Sequence, residues 1–419
     1  MLIRRGALLD GRVADIRVAE RVVDLAAALP ALPGEEILDA RGNAVLPGLH
    51  DHHIHVRAAA AALDSVPVGP PAIRTAAQFA AALSGAESGS DGWIRAIGYH
   101  DSVAGALNRN QLDELVPNRP VRVQHRSGVL WILNSPALAR IGMTGHSDGR
   151  LLSSERTWSD ALPRREPDLG RLSGQLTGYG VTGVTDATPD LTADDVGELT
   201  RGLRQRLHCL SPGKKILHDD SLDLDALTCW IADRHGAGSP VALHCVTAAQ
   251  LVVTIAALRA AGPRPGDRIE HAAMVPDDTL AGLAGLGVTV VTQPNLLAER
   301  GAQYARDIPA AEWPQLWRLA SLVAAGIPVA GSTDAPFGAL DPWAAVRAAV
   351  NRDATERLSA ERALRLFLGR PCDPARHRRV AAGEPGDLCV LHVPPDEALR
   401  TLASDLVAAT VIGGLVHLP

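Results

Sequence analysis

From Val181 onward, short runs of β-branched residues ending in a polar residue alternate with alanine- and leucine-rich segments. The strand-like runs are "VTGVTDATPD", "KKILHDD", "PVALHCVTAAQ", "DRIEHAAMV", "GVTVVTQPN" and "GIPVAGSTDAP". Between them, "AAQLVVTIAALRAAG" and "DDTLAGLAGLG" have helical spacing, with glycine at or just after the end, where a left-handed cap sits. Strand and helix in series imply parallel strands. Upstream, "LPGLHDHHIHV" and "RPVRVQHRSG" bring the count to eight. The expectation is an α/β fold: a (β/α)8 TIM-type barrel over residues 47–378, with its chemistry at the C-terminal ends of the strands.

The two ends of the chain read differently. Residues 1–46 and 379–419 hold short strands punctuated by Gly and Pro, including "EEILDARGNAV" and "LVAATVIGGLVHLP". They are expected to pair into a small β-sandwich domain built from both termini. A chain of 419 residues accommodates one barrel with such an appendage. The stretches 57–92 and 144–170 carry no readable motif, and His146 to Asp168 is expected to be a loop or insertion over the barrel mouth.

Composition narrows the partners. The 41 basic and 47 acidic residues leave a net charge of −6, too mild for a nucleic acid or acidic polymer partner, so a small-molecule substrate is expected. No apolar run approaches the roughly 18 residues of a membrane span, and no secretory signal follows the first methionine, so a cytoplasmic protein is expected. A homo-oligomer is left open. Five cysteines, odd in number and never in a CxxC arrangement, indicate neither a disulfide framework nor a zinc ribbon. A metal would have to be held by His, Asp or Glu.

Those residues gather at the ends of the expected strands, where His53, His55, His125, His244, His271 and Asp334 fall. Residues i and i+2 of a strand point the same way, so His53 and His55 share a face, while His50 and His52 have the opposite parity. His244 shares its face with Ala242, and His271 with Ile269. Four imidazoles at one end of three strands form a nitrogen-ligand set for zinc or a similar borderline ion. Asp334 in "GSTDAP" could cap a helix or a turn before Pro336. It could equally ligate the metal and take a proton from a metal-activated water as general base.

Taken together, "LPGLHDHHIH", His244, His271 and "AGSTDAP" resemble the metal-dependent amidohydrolase superfamily. More narrowly, "RIEHAAMVPDDTLAGLAGLGVTVVTQPN", "GIPVAGSTDAPFGALDPWAAV" and "VRVQHRSGVLWILNSPALARIGM" resemble amidohydrolase family 3, the YtcJ-like branch. The resemblance implies one or two divalent metals, most simply zinc, and hydrolysis of C–N bonds in amides, formamides or cyclic amides. It makes His53, His55, His244, His271 and Asp334 metal ligands, with Asp334 also the base. In relatives with two metals a carboxylated lysine on strand 4 usually bridges them, and Lys215 matches that position. Parity leaves the choice between Lys214 and Lys215 open.

The chain departs from that branch where relatives often carry "DGH" and this sequence has Ser127, Gly128 and Val129. His125 and Arg126 nearby are then the candidates for substrate contact. Three Phe and three Tyr leave aromatic stacking to the seven tryptophans, of which Trp131, Trp158, Trp313 and Trp317 are pocket-wall candidates. The rival readings are a deaminase of an amino-substituted heterocycle, a metal-dependent decarboxylase, and a catalytically silent barrel that only binds. Deaminases of this superfamily typically place a glutamate three residues after the strand-5 histidine, where this chain has Thr247.

Overall fold

In a computed structural model, which describes residues 1–153, 155–162 and 166–419, the chain divides into two units. One comprises Met1–Val56 and Leu169–Pro419, the other Arg57–Asp168. Residues 47–378, expected as one barrel, are therefore split, and 57–168 packs around a core of its own.

The first unit contains eight strands that carry the α/β pattern. They are β1 (Leu49–Ile54), β2 (Val181–Asp186), β3 (Arg206–Cys209), β4 (Lys214–Ile216), β5 (Ala242–Cys245), β6 (Arg268–His271), β7 (Thr289–Thr292) and β8 (Val329–Gly331). Two parallel ladders result, in the orders β3-β2-β1 and β4-β5-β6-β7-β8. They meet where β8 leads into β1: the amide of Asp334 donates to His53 O and that of His55 to Ala335 O, both at 2.9 Å. Among the described residues no ladder pairs β3 with β4, so the sheet is not closed there.

Every residue of β1, β2, β6 and β8 is buried, as expected of parallel strands covered on both faces. The helices include α1 (Leu169–Gly178), α2 (Ala193–Gly202), α3 (Leu224–Gly236), α4 (Ala248–Ala261), α5 (Asp277–Ala284), α6 (Pro294–Asp307), α7 (Leu319–Ala324) and α8 (Pro342–Val350). Thr247 starts α4 with a capping box to Gln250, and Gly262 ends it at φ +79°, the left-handed conformation that glycine adopts without strain. Gly48, just before β1, lies so close to β2 that a Cβ there would sit 2.1 Å from Thr182 Cγ2. Glycine is thus required where the histidine-rich strand begins.

One β/α unit is missing its helix. Leu210–Gly213 alone joins β3 to β4. The expected second strand, Val121–His125, instead belongs to the other unit, where it pairs in parallel with Ile94–Tyr99 and antiparallel with Leu130–Leu133. That unit is a five-stranded sheet with Phe79, Leu83, Tyr99, Leu112, Val121 and Val123 in its core. Residues 57–92 contain helices Val56–Leu63 and Ala76–Ser84 rather than bare loop. Of the segment His146–Asp168, Ser154 and residues 163–165 lie outside the described residues; Arg150–Leu152 is a strand of the sheet.

Both chain ends form β-structure. Val22–Ala26, Val13–Val18, Leu2–Ala7 and Ile37–Asp39 make one four-stranded sheet, and Leu415–His417, Val407–Ile412, Leu388–Leu391 and Val45–Pro47 another. Ile3, Ile16, Val45, Leu388, Val390 and Val411 from both sheets share one apolar cluster. Burial of each such side chain contributes about 1.5–3 kcal/mol. No helix among the described residues is long and apolar enough to cross a membrane.

Candidate metal centre

In a parallel ladder, paired residues share a face. Ala242 pairs with Lys214 and with Arg268, and His244 pairs with Ile216 and with Glu270. Lys214, His244, Arg268 and Glu270 therefore point to one side. On β1 that side carries His53, whose Nδ1 is bonded to Glu270 Oε2. Arg268 in turn holds Glu270 through Nε and Nη2 and donates to His52 O. Arginine, glutamate and histidine thus form a buried column, with His53 at its upper end: His53 is 1 % exposed and Glu270 0 %.

The free edge of that imidazole faces a carboxylate. His53 Nε2 lies 3.5 Å and His55 Nε2 3.6 Å from Asp334 Oδ1, and one ligand atom from each of these three residues falls within 4.8 Å of the others. His271 packs beside His53 at 4.8 Å between ring centroids, and His244 lies 4.5 Å from His271. His271 reaches the cluster by a route that strand parity does not give. By register it pairs with Cys245 and should follow Ile269 to the other face. Its φ of +71°, followed by +46° at Ala272, ends the strand in left-handed backbone and swings the ring inward. Asp334 has φ +57°. Non-glycine residues hold such conformations at a cost of about 1–3 kcal/mol each, and they concentrate at functional sites.

The cluster fits a divalent cation. His53 Nε2, Asp334 Oδ1 and Lys214 Nζ are buried and make no hydrogen bond among the described residues. Burial, reinforced by the Lys214 charge, holds His53 well below the ordinary histidine value and pushes His244 down to about 3. Burial and the neighbouring His244 do the same to His271. These imidazoles stay neutral at pH 7, the form that ligates metal. Burial drives Glu270 upward, but Arg268 and Lys214 outweigh it and keep the carboxylate below its usual value. The outer nitrogen of His271 is also engaged: its Nδ1 bonds Gln293 Oε1 at 2.8 Å, and Gln293 Nε2 donates to Ser332 Oγ. Such partners fix ring orientation and leave Nε2 for the ion.

Glu270→Gln should therefore weaken zinc binding by about 10–100-fold with the fold intact. Titration of metal-free protein with zinc reads this directly, and wild-type affinity in the variant would remove Glu270 from the role.

Lys215 does not join the cluster. Pairing with Leu243, it faces the opposite side, and its Nζ lies 5.0 Å above the ring of Trp230 on α3. Lys214 takes the inward position, 5 % exposed, with burial lowering its pKa to about 8. His50 and His52 stack on each other at 4.6 Å, and His50 Nε2 bonds Thr185 Oγ1 at 2.8 Å. Asp51, between them, accepts from the backbone amides of His53 and Thr333 and from the Thr333 hydroxyl, which ties β1 to the segment carrying Asp334.

His125 and Arg126 lie in the other unit. There His125 Nδ1 bonds Ser127 Oγ at 2.9 Å, the ring stacks with His100 at 5.6 Å, and burial lowers its pKa. Trp131 and Trp158 pack together in that unit, and Trp313 and Trp317 join an apolar cluster with Leu296 and Leu316 in the first. A ring that does meet the cluster is that of Phe337, edge-on to His55 at 5.4 Å. Nothing in the strand-end pattern of histidines marks Arg268, Glu270 or Gln293. The recoverable signal was the i, i+2 spacing of Arg268 and Glu270 in "RIEH".

The chain is similar to known proteins over most of its length. An N-substituted formamide deformylase of Arthrobacter pascens is 24% identical over 493 aligned positions, covering 92% of this chain and 90% of that protein. Among solved structures, an uncharacterised metal-dependent hydrolase from Pyrococcus furiosus superposes with a TM-score of 0.73 at 19% identity, over 94% of this chain and 99% of that one. A mutant of atrazine chlorohydrolase TrzN from Arthrobacter aurescens TC1, complexed with zinc and atraton, superposes at 0.61 with 15% identity, over 100% and 95% of the two chains. A model of the amidohydrolase family matches residues 36–417, and to that family the chain belongs.

Proposed function

We propose that this protein is a metal-dependent hydrolase that cleaves the C–N bond of a small amide, formamide or cyclic amide, on a (β/α)8 barrel with a terminal β sandwich. The observation that carries the reading is the pair of buried, unpartnered ligand atoms, His53 Nε2 and Asp334 Oδ1, facing each other beside His55, His244 and His271. His53, His55, His244, His271 and Asp334 would hold one or two divalent ions, with zinc the first choice for a nitrogen-rich set. Lys214 supplies the inward strand-4 amine suited to a bridging carbamate. The bound ion supplies Lewis acidity, acidifying water and polarising a carbonyl oxygen.

The chain's own residues then handle the proton. Asp334 Oδ1, within 3.6 Å of both strand-1 imidazoles, accepts it from the attacking water as the water oxygen bonds the carbonyl carbon. When the C–N bond breaks, Asp334 returns the proton to the leaving nitrogen, so that an amine and a carboxylic acid are released, and the acid then gives its proton to solvent. Glu270 and Gln293 keep His53 and His271 in register throughout. Phe337 gives the substrate an apolar wall beside His55. The deaminase alternative is disfavoured because Thr247, three residues beyond His244, is committed to capping α4 and to a 2.8 Å bond with Asp219.

A panel of N-alkyl and N-aryl formamides, assayed for formate and amine together, tests the reading. Turnover is expected with zinc present, to be lost on chelation and restored by zinc. Undiminished turnover by metal-free protein would overturn the mechanism, and ammonia or carbon dioxide in place of formate would reassign the reaction.

A further inference from the structure

Strands β4 and β5 carry side chains on the cluster side that neither ligate the ion nor move the proton. On β4, Lys215 stacks on Trp230 of α3, which marks the outer side, whereas Ile216 pairs with His244 and so takes the side of the metal ligands. Ile216 is nevertheless 40 % exposed. On β5, Cys245 is buried with its thiol against Thr254 of α4. The next residue, Val246, has the parity of His244 and is 38 % exposed. Neither Ile216 nor Val246 has the left-handed backbone that reorients His271. Two large aliphatic side chains on adjacent strands therefore flank His244 and stay open to solvent. They forgo the burial that inward positions of a barrel usually provide.

This wall is short and braced. Two residues beyond Ile216, His218 is exposed on extended backbone (φ −126°, ψ 137°), roughly 6–7 Å farther along the strand. Gln250 Nε2 donates to Leu217 O and to Asp219 Oδ1, and Thr247 Oγ1 donates to the same carboxylate oxygen, so the ends of β4 and β5 are tied together. Its place relative to the proton carrier is also set. β4 and β5 stand at one end of the ladder β4-β5-β6-β7-β8, and Asp334 follows β8 at the other. A leaving nitrogen that takes its proton from Asp334 faces β8. A substituent lying on Ile216 and Val246 is then the one carried by the carbonyl carbon.

We propose that the substrate is an amide with a short apolar acyl chain, seated on Ile216 and Val246. The proposal rests on the amide-hydrolase reading and narrows it to one side of the scissile bond: a formamide would still be cleaved but would leave this wall uncovered.

Calorimetric titration of the full-length, zinc-loaded protein with aceto-, butyro- and hexanohydroxamate tests this without turnover, since the hydroxamate oxygens anchor on zinc and the chain takes the acyl position. Affinity should rise about two- to fourfold per added methylene. Ile216→Thr and Val246→Thr, which keep a β-branched shape, should each weaken hexanohydroxamate at least about threefold and leave acetohydroxamate and zinc stoichiometry unchanged. Val252→Thr, at an exposed position of α4, should change neither. Absence of binding by every hydroxamate would count against the metal centre itself and take the proposal with it. Binding that ignores chain length, or a chain-length dependence that survives both wall substitutions, overturns the wall alone. If kcat/KM for N-alkyl formamides rises with chain length while hydroxamate affinity does not, the substituent is on nitrogen and the acyl assignment falls.

Discussion

Replacing Asp334 by asparagine is expected to lower kcat by about 10²- to 10⁴-fold, the range that a positioned acid or base contributes. This corresponds to about 3–5.5 kcal/mol of barrier. The substitution suits the site. Asparagine has nearly the same shape and tolerates the left-handed backbone that Asp334 adopts at φ +57°, so the amide hydrogen bond to His53 O can persist. It retains an oxygen at the Oδ1 position near His53 and His55 but has no carboxylate to accept a proton. Metal affinity should also fall, because a charged oxygen is lost, so the measurement belongs at saturating zinc with bound metal verified. Full activity with zinc bound would refute Asp334 as the base.

The difference between what could and could not be foreseen lies in how much of each inference rests on local pattern. The alternation from Val181 onward is local, and the strands and helices it indicates are present, because period and capping residues act within a few positions. His53, His55 and Asp334 were legible for the same reason: each sits at the polar end of a strand. Register is not local. Whether Lys214 or Lys215 turns inward depends on pairing with β5, about 28 residues later, and no property of "KKI" alone decides it. His271 shows the converse: parity holds only while the backbone stays extended, and this strand ends in left-handed backbone. The four-residue β3, with no helix behind it, had no amphipathic partner to reveal it, and Val121–His125 took its place in the count. That strand is a real one, but its sheet belongs to residues 57–168. Glu270 was missed because its role comes from a contact with His53, 217 residues away.

Lys214 and Lys215 are adjacent in sequence, so exchanging each for methionine, which removes the amine but keeps an unbranched side chain of similar length, separates the two sides of β4. Lys215→Met should cost only the cation–π contact with Trp230, about 0.5–1 kcal/mol, and leave zinc content and turnover near wild type. Lys214→Met should lower kcat/KM by about 100-fold or more and reduce zinc content, since the inward amine and any carbamate built on it are lost. The burial that isolates Lys214 also prepares it for that chemistry. A carbamate forms when a neutral amine attacks carbon dioxide and loses a proton, and an ordinary lysine at pH 7 is neutral in only about four molecules in ten thousand. With its pKa lowered to about 8 by burial, Lys214 is neutral in about one molecule in ten at pH 7 and nine in ten at pH 9. Reactivation of metal-free protein by zinc should therefore require bicarbonate and speed up by about tenfold between those pH values at constant dissolved carbon dioxide. If Lys215→Met loses zinc while Lys214→Met does not, the strand is turned the other way. If reactivation ignores bicarbonate, Lys214 serves as an uncarboxylated neighbour of a centre held by histidine and aspartate alone.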